Sequence, residues 1–173
     1  MAESSERSAV AQSVSEAASA VTLRKAALAD VGALHAIINH YAAEQLMLPK
    51  THLQLYESLR DYTVAVEGSD PSAVLGCGAL HLYWEDLAEI RALAVRPGIT
   101  QKGVGSAIVE DLIDEGRSLG LARLFVFTYV ARFFSRFGFV QVEHRSLPLK
   151  VYNECFHCPK FNTCDEIAMV LDL

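Results

Sequence analysis

The spacing of hydrophobic and polar residues predicts a mixed α/β domain that runs from residue 21 to the end of the chain. Val31, Leu34 and Ile38 recur at helical spacing, and Asp30 precedes them as the expected N-cap. Thr51 starts a second helix, because it forms a capping-box pattern with Gln54. Runs of β-forming residues indicate the strands. The predicted strands are 21–26, 62–67, 73–84, 89–95, 121–128, 139–143 and 166–172, and the predicted helices are 31–44, 52–59, 103–119 and 131–137.

Turn-forming residues mark where these elements end and how neighbouring elements are joined. Residues 68–71 join the second and third strands as a hairpin, Glu85 and Asp86 form the next turn, and Gly120 ends the third helix. The predicted order is therefore β-α-α-β-β-β-α-β-α-β-β, with no internal repeat.

Composition divides the chain into a tail and one domain. Its 173 residues, 51% of them hydrophobic, suffice for one well-packed core. Residues 1–20 are dominated by Ala, Ser and Glu, so we expect a disordered tail, with a short free helix as the alternative.

The charge of the chain narrows the classes of partner. A formal net charge of −6 argues against nucleic acid or an anionic membrane surface as the main partner. The chain has no apolar run long enough to cross a bilayer and no cationic segment followed by an apolar one at its N-terminus, so we expect a cytoplasmic protein. A small-molecule substrate then becomes the expected partner, and a homodimer is compatible with this sequence.

A glycine-rich stretch between the fourth strand and the third helix is the best candidate for a ligand site. Gly103 and Gly105 leave the backbone uncovered, so the unpaired N–H groups of the first helical turn can converge on an anion. Lys102 adds positive charge. The stretch has neither the nucleotide P-loop spacing nor the third glycine of a dinucleotide loop. A strand-to-helix turn with no ligand is the alternative.

This stretch resembles the pyrophosphate loop of the GNAT acetyltransferases. The pattern Gln-x-Gly-x-Gly-Ser follows a strand ending Leu-Ala-Val, and Phe133–Phe139 is similar to that family's last helix and its Gly-Phe exit. The resemblance implies the GNAT acyl-CoA N-acyltransferase fold, an α/β fold whose mixed sheet splays beside the fourth strand. It also implies acetyl-CoA as cosubstrate, with the pantetheine arm along the strand edge and the diphosphate on the loop. The residues implied in this binding are Leu93, Ala94, Val95, Gln101, Lys102, Gly103, Val104, Gly105 and Ser106.

Several sequence segments resemble those of one branch of the family, the bacterial N-acetylglutamate synthases. These segments are residues 23–26, 46–56, 76–80, 88–95, 123–128 and 147–153. The resemblance implies transfer of acetyl to the α-amine of L-glutamate, the first step of arginine biosynthesis, by direct attack in a ternary complex. The long synthases carry an amino-acid-kinase domain, so we expect a short, stand-alone form. L-glutamine or another small amine, or a non-catalytic CoA-binding regulatory module, are the alternatives.

The resemblance also implies roles for individual residues. Glu89 falls where the synthases place a carboxylate that takes the proton of the amine, with His81 as the second candidate and a solvated glutamate as the alternative. Arg91 shares a strand face with Glu89, which suits it to a substrate carboxylate, although a surface salt bridge is equally expected. His81 replaces a substrate-contacting lysine and Asn39 an arginine, and a neutral substrate such as glutamine needs less charge from His81.

Two further departures from the family concern the leaving thiolate and the C-terminal segment. Many GNAT enzymes use a tyrosine as general acid where this chain has Phe134, so the proton would come from Tyr129, from water or from the substrate ammonium.

Cys155, Cys158 and Cys164 replace a substrate-contacting segment. We expect reduced packing cysteines and no metal, with a zinc site or a redox-sensitive pair as alternatives.

Overall fold

The computed structural model describes residues 21–67, 70–99, 103–147, 155–158 and 160–173. The expected tail at 1–20, the tip of the first hairpin at 68–69, and Gln101 and Lys102 of the loop lie outside the described residues.

Strands and helices follow one another in the predicted order. The strands are β1 Val21–Lys25, β2 Tyr62–Glu67, β3 Asp70–Trp84, β4 Leu87–Val95, β5 Arg123–Thr128, β6 Val140–Val142 and β7 Ile167–Asp172. The helices are α1 Val31–Ala43, α2 His52–Glu57, α3 Val104–Ser118 and α4 Ala131–Ser135. Short 3₁₀ turns at Leu28–Asp30, Leu59–Asp61, His144–Ser146, Cys155–His157 and Phe161–Thr163 complete the described elements.

The strands form one mixed sheet that parts in its middle. The order is β1-β2-β3-β4-β5-β7-β6, and β4 and β5 are the parallel neighbours among antiparallel pairs. These two strands pair only along Leu87–Glu89 and residues 123–125. Beyond Glu89 they separate, as the resemblance implied, and the edge of β4 becomes open to a ligand.

Two glycines in β3 let α3 lie close against the sheet. A Cβ at Gly76 would stand 2.9 Å from the carbonyl oxygen of Ala94, and one at Gly78 would stand 2.8 Å from Cγ2 of Ile108. Neither position has room for a side chain. The close approach brings the N-terminal end of α3 to the end of β4.

The sheet is covered on both faces. One core cluster packs α3 and α4 against the sheet, and its members include Ile108, Leu112, Leu124 and Phe134. The other packs α1 and α2 over the first half of the sheet, and its members include Leu34, Ile38, Leu55 and Val64. A smaller cluster on the second half holds Phe125, Leu147, Ala168 and Val170, with Tyr83 packed against it.

Some predicted boundaries were wrong. Asp30 is the N-cap residue of α1, as predicted, but its side chain makes no cap bond, because its carboxylate pairs with Arg24 at 2.6 Å. The strand β3 begins at Asp70, inside the predicted turn, and β5 begins only at Arg123. Helix α2 stops at Glu57, where a 3₁₀ turn replaces its predicted end. The capping box of Thr51 and Gln54 is confirmed.

Candidate active site

A cavity of about 980 Å³ opens where β4 and β5 part. The end of β4, the start of α3 and the residues after β5 form its floor, and residues 45–50 and the C-terminal segment from Cys155 to Glu166 form its outer walls. Its size suits a small substrate together with the reactive end of a larger one.

Glu89 lies at the point where β4 leaves β5. The residue is 3% exposed and lines the cavity. Tyr83 donates from Oη to Oε2 of Glu89 at 3.4 Å, and His81 is the residue directly opposite Glu89 on β3. The fold thus brings a carboxylate out of bulk water and leaves it facing the cavity, the setting of a general base.

Arg91 lines the same cavity two residues further along β4. Its side chain is 13% exposed, and Nη2 lies 3.8 Å from Oδ2 of Asp61. The same carboxylate oxygen lies 2.7 Å from Nδ1 of His81, which donates because a carboxylate only accepts. His81 lies next to Glu89 on the neighbouring strand, and its side chain is 34% exposed, although it is not among the residues that line the cavity.

Asn39, in α1, is partly exposed and links two segments of the chain. Its amide nitrogen donates to the carbonyl oxygens of His35 and Lys50, at 2.9 and 2.8 Å, and its amide oxygen accepts from the backbone N–H of Lys50 at 3.2 Å. The side chain therefore holds the segment before α2 against α1. Pro49 and Lys50, not Asn39, face the cavity.

A β-bulge reverses the two faces of β4 after Arg91. Ala79 pairs with Arg91 and Cys77 with Ala94, so β4 has one extra residue between these pairs, and Ala92 has a φ of 51°. The chain uses this bulge to turn Leu93 toward the α3 core while Ala92 and Ala94 pack on the α1 side. Simple alternation along the strand could not predict this reversal.

The turn before α3 has the shape of an anion cradle. Gly103 occupies the N-cap with a φ of 93°, and a Cβ there would have nothing within 4 Å. Ala107 makes the helical bond back to Gly103 at 2.9 Å, which leaves the N–H groups of Val104, Gly105 and Ser106 without a partner inside the helix. Gly105 faces the cavity. These features fit a diphosphate, which needs converging N–H groups and an uncovered backbone.

Sequence reasoning missed a cation at this cradle. Nη2 of Arg136 donates to Oγ of Ser106 at 3.4 Å, and its guanidinium stacks 4.9 Å from the ring centre of Phe133. Arg136 follows α4, thirty positions along the chain, so only the contact between the helices could reveal it. Tyr41 was missed too, and it donates from Oη to the carbonyl of Val95 at 2.7 Å.

Tyr129 faces the cavity at the end of β5 and carries a small polar network. Its Oη donates to Oδ1 of Asp165 at 2.9 Å and accepts from Nζ of Lys160 at 3.1 Å. Burial raises the pKa of Tyr129, an effect that the Lys160 bond opposes and the Asp165 bond reinforces. The phenol therefore stays protonated at neutral pH. Phe134, which replaces the tyrosine acid of many GNAT enzymes, is buried in the core.

All three C-terminal cysteines line the cavity as thiols. Cys77, the fourth, is buried in the sheet, and burial raises its pKa to about 12. Within the described side chains, no group of three His, Cys, Asp or Glu residues is arranged to hold a metal ion. The side chain of His157, a candidate zinc ligand, lies outside that description.

A mixed sheet that parts beside a glycine cradle, with a buried carboxylate in the gap, defines an acyl-CoA N-acyltransferase. The acetyltransferase (GNAT) family model matches residues 33–139. An amino-acid acetyltransferase of Mycobacterium tuberculosis is 39% identical over 132 residues, which cover 76% of this chain and 75% of that protein. The chain therefore belongs to the GNAT acetyltransferase family, whose acyl donor is acetyl-CoA.

Solved structures agree on the fold. Rv2747 of Mycobacterium tuberculosis, determined in complex with CoA and a second ligand, is 33% identical with a TM-score of 0.76, covering 88% of this chain and 99% of that one. N-acetylglutamate synthase from Neisseria gonorrhoeae, complexed with coenzyme A and N-acetyl-glutamate, has a TM-score of 0.75 at 23% identity, covering 89% of this chain and 35% of that one. At this identity the second likeness concerns the fold alone.

Every helix in the described part of the chain is too short or too polar to span a bilayer.

Proposed function

We propose that this acetyltransferase transfers acetyl from acetyl-CoA to the α-amine of L-glutamate. The observation that carries the proposal is that the buried carboxylate of Glu89 and the guanidinium of Arg91, two residues apart on β4, line the same cavity where β4 leaves β5. A base and a cation at this spacing suit a substrate that offers an ammonium group and a carboxylate. The relative named an amino-acid acetyltransferase supports the same class of acceptor.

The donor site would be built from the cradle and the open edge of β4. Backbone N–H groups from Gln101 to Ser106 would hold the diphosphate, with the Lys102 and Arg136 cations beside them. The edge formed by Leu93, Ala94 and Val95 would hold the pantetheine arm, as an added strand is held. The bound donor supplies an acetyl thioester.

The acceptor site would use the cations of the cavity wall. Arg91, Lys50 and Lys160 all line the cavity, and guanidinium or ammonium groups suit the two carboxylates of glutamate. His81 would act through Asp61, whose carboxylate it shares with Arg91, and Asn39 would act by holding Lys50 in place. These two residues are then positioning residues, not substrate contacts.

Two proton positions complete the proposed mechanism. Glu89 would take the proton of the α-ammonium, and the neutral amine would attack the thioester carbon directly within the ternary complex. Tyr129 would hold a proton near the departing thiolate, with Lys160 and Asp165 fixing the direction of its hydroxyl. We expect this reaction to be the first step of arginine biosynthesis, as it is in the bacterial synthases that the sequence resembles.

A substrate panel tests the acceptor. Free thiol release from acetyl-CoA is measured with glutamate, glutamine, other amino acids and polyamines, and the product is identified by mass. We expect the largest kcat/KM for glutamate. A larger value for glutamine would move the specificity to a neutral side chain, and the absence of turnover with every amine, despite CoA binding, would favour a regulatory module.

A further inference from the structure

Cys155 and Cys158 lie on a single turn of the cavity wall. The backbone N–H of Cys158 donates to the carbonyl of Cys155 at 3.0 Å. Residues at the two ends of such a turn have Cα atoms closer than about 7 Å, and disulfides span Cα separations of about 4.4–6.8 Å. The backbone therefore already brings the two cysteines within reach of each other.

The other two cysteines are poorer partners for chemistry in the cavity. Burial raises the pKa of Cys164, and the thiolate is the reactive form of cysteine. Cys77 is fully buried between β2 and β4 and far from ionising at neutral pH. Both Cys155 and Cys158 are partly exposed, and a small molecule that enters the cavity meets them.

We infer that Cys155 and Cys158 form a dithiol modification site that reacts with the disulfide of a small thiol entering the cavity. One cysteine thiolate attacks the disulfide, forms a mixed disulfide and releases one small thiol. The second cysteine attacks the mixed disulfide and releases the other. The protein loses two electrons and two protons to form one S–S bond, and the small disulfide is reduced to two thiols.

The turn that carries this pair is connected to the acceptor wall. The carbonyl of Cys158 accepts from the N–H of Phe161 at 3.0 Å, and the intervening Lys160 donates to Tyr129 and to the carbonyl of Gln45 at 3.3 Å. Drawing the two sulfur atoms together would displace Lys160. Since this consequence rests on the proposed function, we expect kcat/KM for the amino acid to fall by about 10- to 100-fold. We expect the cradle at the start of α3 to keep its affinity for CoA.

The experiment treats the full-length reduced chain with oxidised glutathione in one arm and CoA disulfide in the other. We expect a mass loss of two hydrogen atoms and a peptide map that joins Cys155 to Cys158, both reversed by dithiothreitol. Cys164→Ser should still form the bridge, whereas Cys158→Ser should stop at the mixed disulfide. Faster reaction in the CoA disulfide arm would identify the donor cradle as the route of entry, and equal rates would identify a general site for small disulfides.

Two results would overturn the inference. The first is a pair that stays reduced in both arms, and the second is a bridge that joins Cys164 to either cysteine. A bridged enzyme with unchanged kcat/KM would overturn the link to the acceptor wall. Acetyl transfer by the reduced enzyme is measured separately, so a failure of the proposed function is distinguishable from each of these results.

Discussion

Asp30 is a buried carboxylate that accepts three hydrogen bonds from two residues. Arg24 donates from Nη1 and Nη2 of its guanidinium, at 2.6 and 3.0 Å, and the N–H of Ala27 donates at 2.7 Å. The Arg24 bond is the main reason why the pKa of Asp30 lies below its usual value, and burial acts against it. These contacts fasten the end of β1 to the start of α1.

Replacing Asp30 by Asn should therefore lower the free energy of unfolding at pH 7 by about 1–3 kcal/mol. A lowered folded-state pKa stabilises the protein above the unfolded-state value and ceases to do so as pH falls through the folded-state value. The difference between wild type and Asp30→Asn should thus vanish in acid, below the usual carboxyl range. Urea unfolding at several pH values measures this difference in the free energy of unfolding. Asp114→Asn, at an exposed pair with Arg117, is the control and should change little.

Tyr129 is the residue that we expect to supply a proton to the leaving thiolate. Tyr129→Phe keeps the ring against the cavity but removes the hydroxyl that contacts Asp165 and Lys160. We expect kcat to fall by about 10²-fold or more, with the KM for acetyl-CoA nearly unchanged. Steady-state thiol release measures both constants. Tyr56→Phe, on the exposed side of α2, is the matched control. Unchanged kcat in Tyr129→Phe would assign the proton to water or to the substrate.

At the scale of elements, the glycines of β3 determine where α3 lies. A Cβ at Gly78 would meet Ile108 at 2.8 Å and Leu112 at 3.1 Å, so Gly78→Ala should push the helix away and cost about 1–3 kcal/mol of stability. Gly32→Ala in α1 is the control, because a Cβ there has nothing within 4 Å. It should gain up to about 1 kcal/mol from helix propensity. Thermal unfolding measures the stability of both variants. If Gly78→Ala were as stable as Gly32→Ala, the close packing of α3 on β3 would be contradicted.

The order of helices and strands was predictable from the sequence. Some of their end residues, and the side of the sheet on which some strand residues lie, were not. Periodicity and turn residues are local signals, and they are strong around Thr51, which makes the predicted capping box. Asp30 has the same kind of local signal, but the Arg24 side chain of β1 binds its carboxylate and competes with the helix N–H groups for it. The bulge at Ala92 depends on pairing with β3 and has no local signal.

In the molecule as a whole, the cradle forms where the start of α3 meets the end of β4 and α4. Gly105 of α3 faces the cavity, and a Cβ there would lie 3.7 Å from Val95 and 3.8 Å from Phe133, which is ordinary contact. A small side chain is therefore compatible with folding. A charged one would enter the space proposed for the diphosphate.

Gly105→Glu should weaken CoA binding by about 100-fold or more, because a carboxylate would face the phosphates. Gly105→Gln has the same size without the charge and should weaken binding less, and Gly105→Ala should weaken it least. Calorimetric titration with CoA measures all three. If Gly105→Glu bound CoA as tightly as wild type, the cradle would have to lie elsewhere.

The candidate site was only partly predictable because its residues are distant in sequence. Glu89 and Arg91 share one strand, so their common position on the cavity followed from the strand period. Lys160 and Arg136 reach the site from other segments through tertiary contacts. The substrate contacts expected of His81 and Asn39 stay predictions, and the hydrogen bonds of these side chains to Asp61 and to Lys50 could not be predicted from local sequence.

We propose that Glu89, in the gap between β4 and β5, takes the proton of the acceptor amine. A direct test is to measure kcat of wild type and of Glu89→Gln from pH 7 to 9, with saturating acetyl-CoA and glutamate, and to measure CoA affinity in parallel. We predict a fall in kcat of about 10²- to 10⁴-fold for the variant at neutral pH, with CoA affinity preserved. Near-normal turnover of Glu89→Gln across this pH range would contradict the claim.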